Sequence, residues 1–189
     1  MLVQQGDVRD AVAALIKAIG ENPKREGLVG TPERVAKMYS EFFSGLNQDP
    51  SSVLATGFNE DHYGIVTLHD LPFFSICEHH LLPFIGTATV TYLPNGRILG
   101  ASKLGRALDI LSKRPQLQER ITNQLAETIY STLRPKGVCV TLRAEHMCMS
   151  IRGIKKPGTH LVTSAQKGTF EVDTVHTEHH CSATHLNQV

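Results

Sequence analysis

The chain lacks an excess of charge, a long apolar run and a disulfide-rich composition, and each absence removes a class of protein. Lys and Arg number 19 against 18 Asp and Glu, a formal net charge of +1. That balance argues against bulk electrostatic capture of nucleic acid or of an anionic membrane, so any anion must be held by a local cluster of bases. No stretch reaches the roughly 20 apolar residues of a membrane-spanning helix. The opening residues, Met1-Leu2-Val3-Gln4-Gln5-Gly6-Asp7, show neither the basic nor the apolar region of a secretory signal. Four cysteines in 189 residues then read as cytoplasmic thiols or metal ligands rather than a disulfide framework. There is no internal repeat and no low-complexity segment.

Histidine is plentiful, with ten in the chain, and its clustering directs attention to Cys77-Glu78-His79-His80 and to His146-Met147-Cys148. Cys77 and His80 are separated by two residues, which lets both reach one metal from a single turn. With Cys148 they form a Cys/His/Cys set, a zinc-type group of three ligands that leaves a tetrahedral position open for water. The competing interpretation is two unrelated buried cysteines among scattered histidines. Glu78 reads as an orienting acceptor beside the ligands or as a solvated loop residue. His79 reads as a proton carrier or an alternative ligand.

The order of elements suggests an α+β fold with an antiparallel sheet. Asp7 is positioned to cap a helix with Val8, Val12, Leu15, Ile16 and Ile19 on one face, ending at Gly20. Thr31-Pro32-Glu33 opens a second helix, with Thr31 as cap, that Gly45 stops. Together they form a helical hairpin. Strands are expected at 64–68 and 84–93, the latter alternating Ala88, Val90 and Tyr92 with threonines. Two helices follow, one carrying Leu104, Ala107, Leu108 and Leu111. The other opens at Pro115 and carries Leu117, Ile121, Leu125 and Ile129. A long strand is expected over 138–151, then a basic loop over 153–168. On an unbroken strand, His146, Cys148, Ser150 and Arg152 share a face. Cys139 has the opposite parity and reads as core or interface packing. The expected division is a helical region at 1–60, a catalytic domain at 61–173 and a histidine-rich tail at 174–189.

Two further clusters carry possible chemistry. Ser102-Lys103-Leu104-Gly105-Arg106 opens a helix, with Ser102 able to cap it. Lys103 and Arg106 then stand near a helix N-terminus, where an anion is favoured. A solvated helix face is the alternative. Arg34 and Lys37 repeat the spacing on the second helix, where surface placement is the ordinary explanation. Glu119, beside Gln118 in a first helical turn, satisfies the helix dipole. A carboxylate there can also accept two hydrogen bonds from the edge of a guanine ring.

These motifs resemble GTP cyclohydrolase I, a family of zinc enzymes. The resemblance spans residues 7–172. It rests on Arg25-Glu26-Gly27-Leu28, Thr31-Pro32-Glu33-Arg34-Val35-Ala36-Lys37-Met38, Ser75 through Phe84, Ser102 through Arg106, Arg114 through Arg120, His146 through Gly153 and Thr163-Ser164. It implies one Zn²⁺ per subunit on Cys77, His80 and Cys148, with His146 and His79 in proton transfer. Glu119, next to Gln118, would anchor the guanine. Ser102, Lys103, Arg106 and Arg152, with Arg34 and Lys37, would surround the triphosphate. The implied reaction converts GTP to 7,8-dihydroneopterin triphosphate with release of formate. The implied architecture is a tunnelling fold, a four-stranded antiparallel sheet with two helices on one face. It assembles as a decamer, a dimer of pentamers, with active sites between subunits. No nucleic acid or membrane partner is implied.

The end of the chain departs from the resemblance. Four histidines and a cysteine fall within 176–185, as a polar tail or a scavenger of soft metals. A tunnelling-fold nitrile reductase and a non-catalytic zinc-stabilised binding protein are the rival readings. The first needs a metal-free nucleophilic thiol. The second needs neither Glu119 nor a proton carrier.

Overall fold

The computed structural model describes residues 3–170; the histidine-rich tail and its suggested metal scavenging lie outside the described residues. The chain runs α1 (Gln5–Ala18), α2 (Thr31–Phe42), α3 (Ser51–Leu54), β1 (Phe58–Asn59), β2 (Val66–Cys77), β3 (Pro83–Leu93), β4 (Arg97–Ile98) and α4 (Ala101–Ser112). It continues β5 (Pro115–Gln116), α5 (Gln118–Leu133), β6 (Gly137–His146), α6 (Met147–Ser150) and β7 (His160–Gly168).

The expected hairpin forms, since α1 and α2 pack on each other. Its helix starts differ from expectation. Helix α1 begins before Asp7, which sits in the first turn, with Gln4 at the cap. Gly30 caps α2, and the Thr31 hydroxyl instead accepts from Arg34 Nη2 at 3.0 Å. Gly45 does end the hairpin, and nothing larger fits: a Cβ there would lie 2.1 Å from Ile110 O. Arg114 ties this corner to the sheet domain, donating from Nε to Gly45 O (3.0 Å) and from Nη2 to Gln48 O (2.7 Å).

The main sheet has five strands in the order β5-β2-β3-β6-β7, one more than expected. The four long strands are antiparallel, while the two-residue β5 runs parallel to β2. Helices α4 and α5 cover the sheet with apolar stripes read correctly from their periodicity. Leu104, Ala107, Leu108, Leu111, Ile121, Leu125 and Ile129 are buried against Ala88, Val90, Val140 and Leu142. Each fully buried aliphatic side chain contributes about 1.5–3 kcal/mol.

Five strand and helix assignments depart from expectation. Strand β2 runs on to Cys77 because a bulge between Leu68 and Leu71, with Asp70 at φ 55°, absorbs the break in alternation. Strand β6 stops at His146, where the chain turns into α6, so the common-face argument for His146, Cys148, Ser150 and Arg152 does not apply. Residues 160–168, expected as loop, pair with β6 from Gly137↔Gly168 to Glu145↔His160. This edge strand has an exposed half and lacks a clean alternating signature. Finally, Pro115 enters β5 rather than opening α5, and Gly100, not Ser102, caps α4.

The register gathers one end of the sheet. Ile76 pairs with both Pro83 and Pro115, Cys77 with Gln116, and Phe84 with His146. Strands β2, β3 and β6 therefore deliver Cys77, Phe84 and His146 to the same edge.

Candidate metal centre and surrounding site

A tight connection between β2 and β3 builds half of the centre. Leu81 N–H donates to Cys77 O and Cys77 N–H to Leu82 O, each at 2.9 Å, while Leu81 takes the left-handed conformation at φ 51°. This closes the chain on itself so that His80 returns toward Cys77. Cys148 arrives from α6. One donor atom from each of Cys77, His80 and Cys148 lies within 4.8 Å of the other two. Both cysteines are free thiols. Burial, then the facing Cys77, pushes the Cys148 thiol above its ordinary pKa. A cation between the sulfurs reverses that penalty, because a coordinating thiol gives up its proton. Two sulfurs and one imidazole at this spacing therefore suit a Zn²⁺-type ion, with His80 exposed on the open side.

The ligand-bearing turn is braced from α5. Glu78 accepts both Nη1 and Nη2 of Arg120, the latter at 3.1 Å. Arg120's hydrogen bonds hold the Glu78 carboxyl below its ordinary pKa. Glu78 N–H also donates to Gln116 O at 3.1 Å. Glu78 is thus engaged by Arg120 and by the Gln116 backbone rather than simply solvated.

His146 is clamped on two sides. Its ring stacks on Phe84, with centroids 4.5 Å apart and planes within 1° of parallel. Its Nε2 meets Gln118 Oε1 at 2.9 Å. Burial pushes the imidazole below its ordinary pKa, with Glu119 pulling the other way. Exposed Glu119 is thus near enough for its charge to be felt at His146. Gln118 is completely buried, and its amide is committed to protein partners.

His79 is exposed, its ring 6.2 Å from that of His80 and nearly perpendicular to it. Arg152 follows α6 and favours the Cys148 thiolate electrostatically. The loop it enters is pinned by Glu145, which accepts from Ser150 Oγ (2.6 Å) and Gly158 N–H (2.8 Å). Both bonds hold the Glu145 carboxyl below its ordinary pKa.

The remaining basic residues sit on α2 and at the start of α4. Ser112 O accepts from Ser75 Oγ at 2.6 Å, whereas Gly105 lies beside Leu71. Helix α4 therefore runs alongside β2, with its first turns toward Leu71 and its last toward Ser75. Six residues of strand separate Leu71 from Cys77, about 20 Å at ~3.3 Å per residue. Ser102, Lys103 and Arg106 occupy that far end. Arg34 donates to Gly27 O (3.3 Å) as well as Thr31, and Lys37 pairs with Glu33 at 3.7 Å.

Sequence reasoning left Arg120, Phe84, Glu145, Thr122 and Thr163 without roles. Only Thr122 carried a local signal, four residues after Gln118 and so on the same helix face. The others act across strands or loops.

Comparison with known proteins identifies the family. The GTP cyclohydrolase I family profile matches residues 8–185. GTP cyclohydrolase 1 of Halalkalibacterium halodurans is 55% identical over 172 residues, covering 90% of this chain and 92% of that protein. The Geobacillus sp. (strain WCH70) protein of that name is 53% identical, covering 92% and 93%. The one from Streptococcus agalactiae serotype V is 53% identical, covering 89% and 91%. A solved archaeosine synthase QueF-like structure aligns at a TM-score of 0.43 and 19% identity, over 58% of this chain and 97% of that one, a likeness too slight to carry an argument. The chain belongs to the GTP cyclohydrolase I family.

Proposed function

We propose that this chain converts GTP to 7,8-dihydroneopterin triphosphate with release of formate. The observation that carries the reading is the joining of three metal donors, a clamped histidine and an exposed glutamate at one end of the sheet. Cys77, His80 and Cys148 would hold one Zn²⁺ per subunit, which when bound supplies the Lewis acidity that makes water a nucleophile at neutral pH. His146 moves protons at the reacting ring, and exposed His79 is a second carrier. Glu119 accepts two hydrogen bonds from the guanine edge, the bidentate contact that selects the base.

The triphosphate reading concerns Arg152 in this chain together with Ser102, Lys103, Arg106, Arg34 and Lys37. The start of α4 lies toward Leu71, about 20 Å along β2 from Cys77, and this separation supports a site completed by neighbouring copies. A decamer of two pentamers is the assembly we infer, acting in the cytoplasm with residues 61–173 as the catalytic unit. No helix among the described residues is long and apolar enough to cross a membrane.

The test is incubation with GTP, with and without a chelator. Formate, and a pterin that fluoresces after oxidation, should appear only in the metal-replete sample. Production of neither by metal-replete protein overturns the reading.

A further inference from the structure

We propose that Thr122, Thr163 and Gln118 form a one-way hydrogen-bond chain that fixes His146 as its Nε2–H tautomer and leaves Nδ1 as the ring nitrogen with a free lone pair. The direction follows from what each group can donate. Gln118 O is a carbonyl and only accepts, so the single hydroxyl hydrogen of Thr122 goes to it at 2.7 Å. Thr122 and Thr163 hydroxyls are 2.6 Å apart, so Thr163 must be the donor of that pair. With its hydrogen committed, Thr163 Oγ1 can only accept from Gln118, whose Nε2 lies 3.1 Å away. Two carbonyls impose the same orientation, Leu142 O at 3.1 Å and Leu161 O at 3.0 Å from Nε2. A flipped amide would aim its oxygen at three groups that have no hydrogen to give.

Gln118 Oε1 is therefore the atom that meets His146 Nε2, at 2.9 Å, and an amide oxygen requires N–H opposite it. Thr122 and Gln118 are buried, so water does not scramble the order. Stacking on Phe84 fixes the plane of the ring while the chain fixes its rotation and tautomer. Gln118 is thus a positioning residue for His146 rather than a guanine contact. The assignment deepens the proposed function, since it concerns the histidine placed at the reacting ring.

The test begins with the metal-loaded full chain carrying ¹⁵N-histidine, studied by solid-state NMR. The His146 signals are identified by their loss in His146→Gln. A protonated Nε2 with a bare Nδ1 is the expected result; a neutral ring protonated at Nδ1 overturns the proposal. Gln118→Leu then removes the acceptor at nearly constant volume. We expect mixed tautomers and kcat lowered about a hundredfold, the scale of lost acid–base catalysis, with KM for GTP and zinc stoichiometry retained. Thr163→Val should keep the parent's tautomer, because the two amide hydrogens still meet Leu142 O and Leu161 O. An unchanged tautomer in Gln118→Leu also overturns the assignment. If the parent fails to turn over GTP yet shows Nε2–H, the functional reading falls and the hydrogen-bond chain stands.

Discussion

Phe84 lies flat against His146 across the β3–β6 pairing, one ring fully buried and the other half-buried. The aromatic face covers one side of the imidazole and sets the plane in which its two nitrogens hydrogen-bond. Phe84→Leu keeps an apolar core residue but loses the flat support. We expect kcat to fall more than zinc content. Phe84→Ala adds a cavity and should cost about 3–5 kcal/mol of stability, visible in thermal unfolding.

Metal and proton carrier should separate by mutation. Cys148→Ser removes one of the three proposed donors, so zinc and activity should disappear together. His146→Ala touches none of the three donors. It should retain one zinc per subunit by elemental analysis while turnover collapses. Loss of zinc in His146→Ala would assign that histidine to the metal instead.

The Glu78–Arg120 pair should act on metal affinity. Both side chains are partly exposed, so the pair adds little to global stability. Its consequence is local, since Glu78 neighbours Cys77 in the turn that presents His80. Arg120→Lys keeps the charge but loses the two-pronged geometry. Zinc affinity, measured by chelator competition, should weaken about 10–100-fold, the usual scale for a group that orients ligands.

Glu145 predicts a pH dependence of the loop that follows Arg152. Bonds from Ser150 and Gly158 depress its folded pKa, so the stabilisation is fully present above the unfolded carboxylate value. It is lost as pH falls through the lower, folded value. The Gly158 amide signal should therefore stay native through mild acid and shift only below the ordinary glutamate range. Glu145→Ala should free the loop at all pH values and raise KM for GTP.

The legible parts of the chain were those whose signal is local. Cys77-x-x-His80 advertises one turn, and the stripes of α4 and α5 advertise one helix face. The missing parts depend on distant partners. Strand β7 exists because Gly137–Glu145 offers it a ladder, which no pattern within 160–168 reveals. His146 and Cys148 do converge on one site, but through a strand that ends and a helix turn that begins, not through strand parity. Gln118 and Glu119 are adjacent in sequence and opposite in fate, one sealed in the core and the other exposed. Their helical position alone does not say which neighbour faces the sheet.

The separation of the two functional ends gives a test of shared sites. Lys103→Ala damages the start of α4, and Cys148→Ser damages the metal end about 20 Å away along the sheet. Each variant alone should be inactive or nearly so. If every site draws its metal end from one subunit and its α4 end from another, co-assembled subunits regain intact sites. With equal, random mixing, about a quarter of the sites receive both undamaged ends, as closed assemblies of identical interfaces require. Activity near that fraction, appearing only after dissociation and joint reassembly, supports a site built between chains. A mixture that stays inactive, with mixed oligomers verified by mass spectrometry, would mean that each chain supplies both ends of its own site.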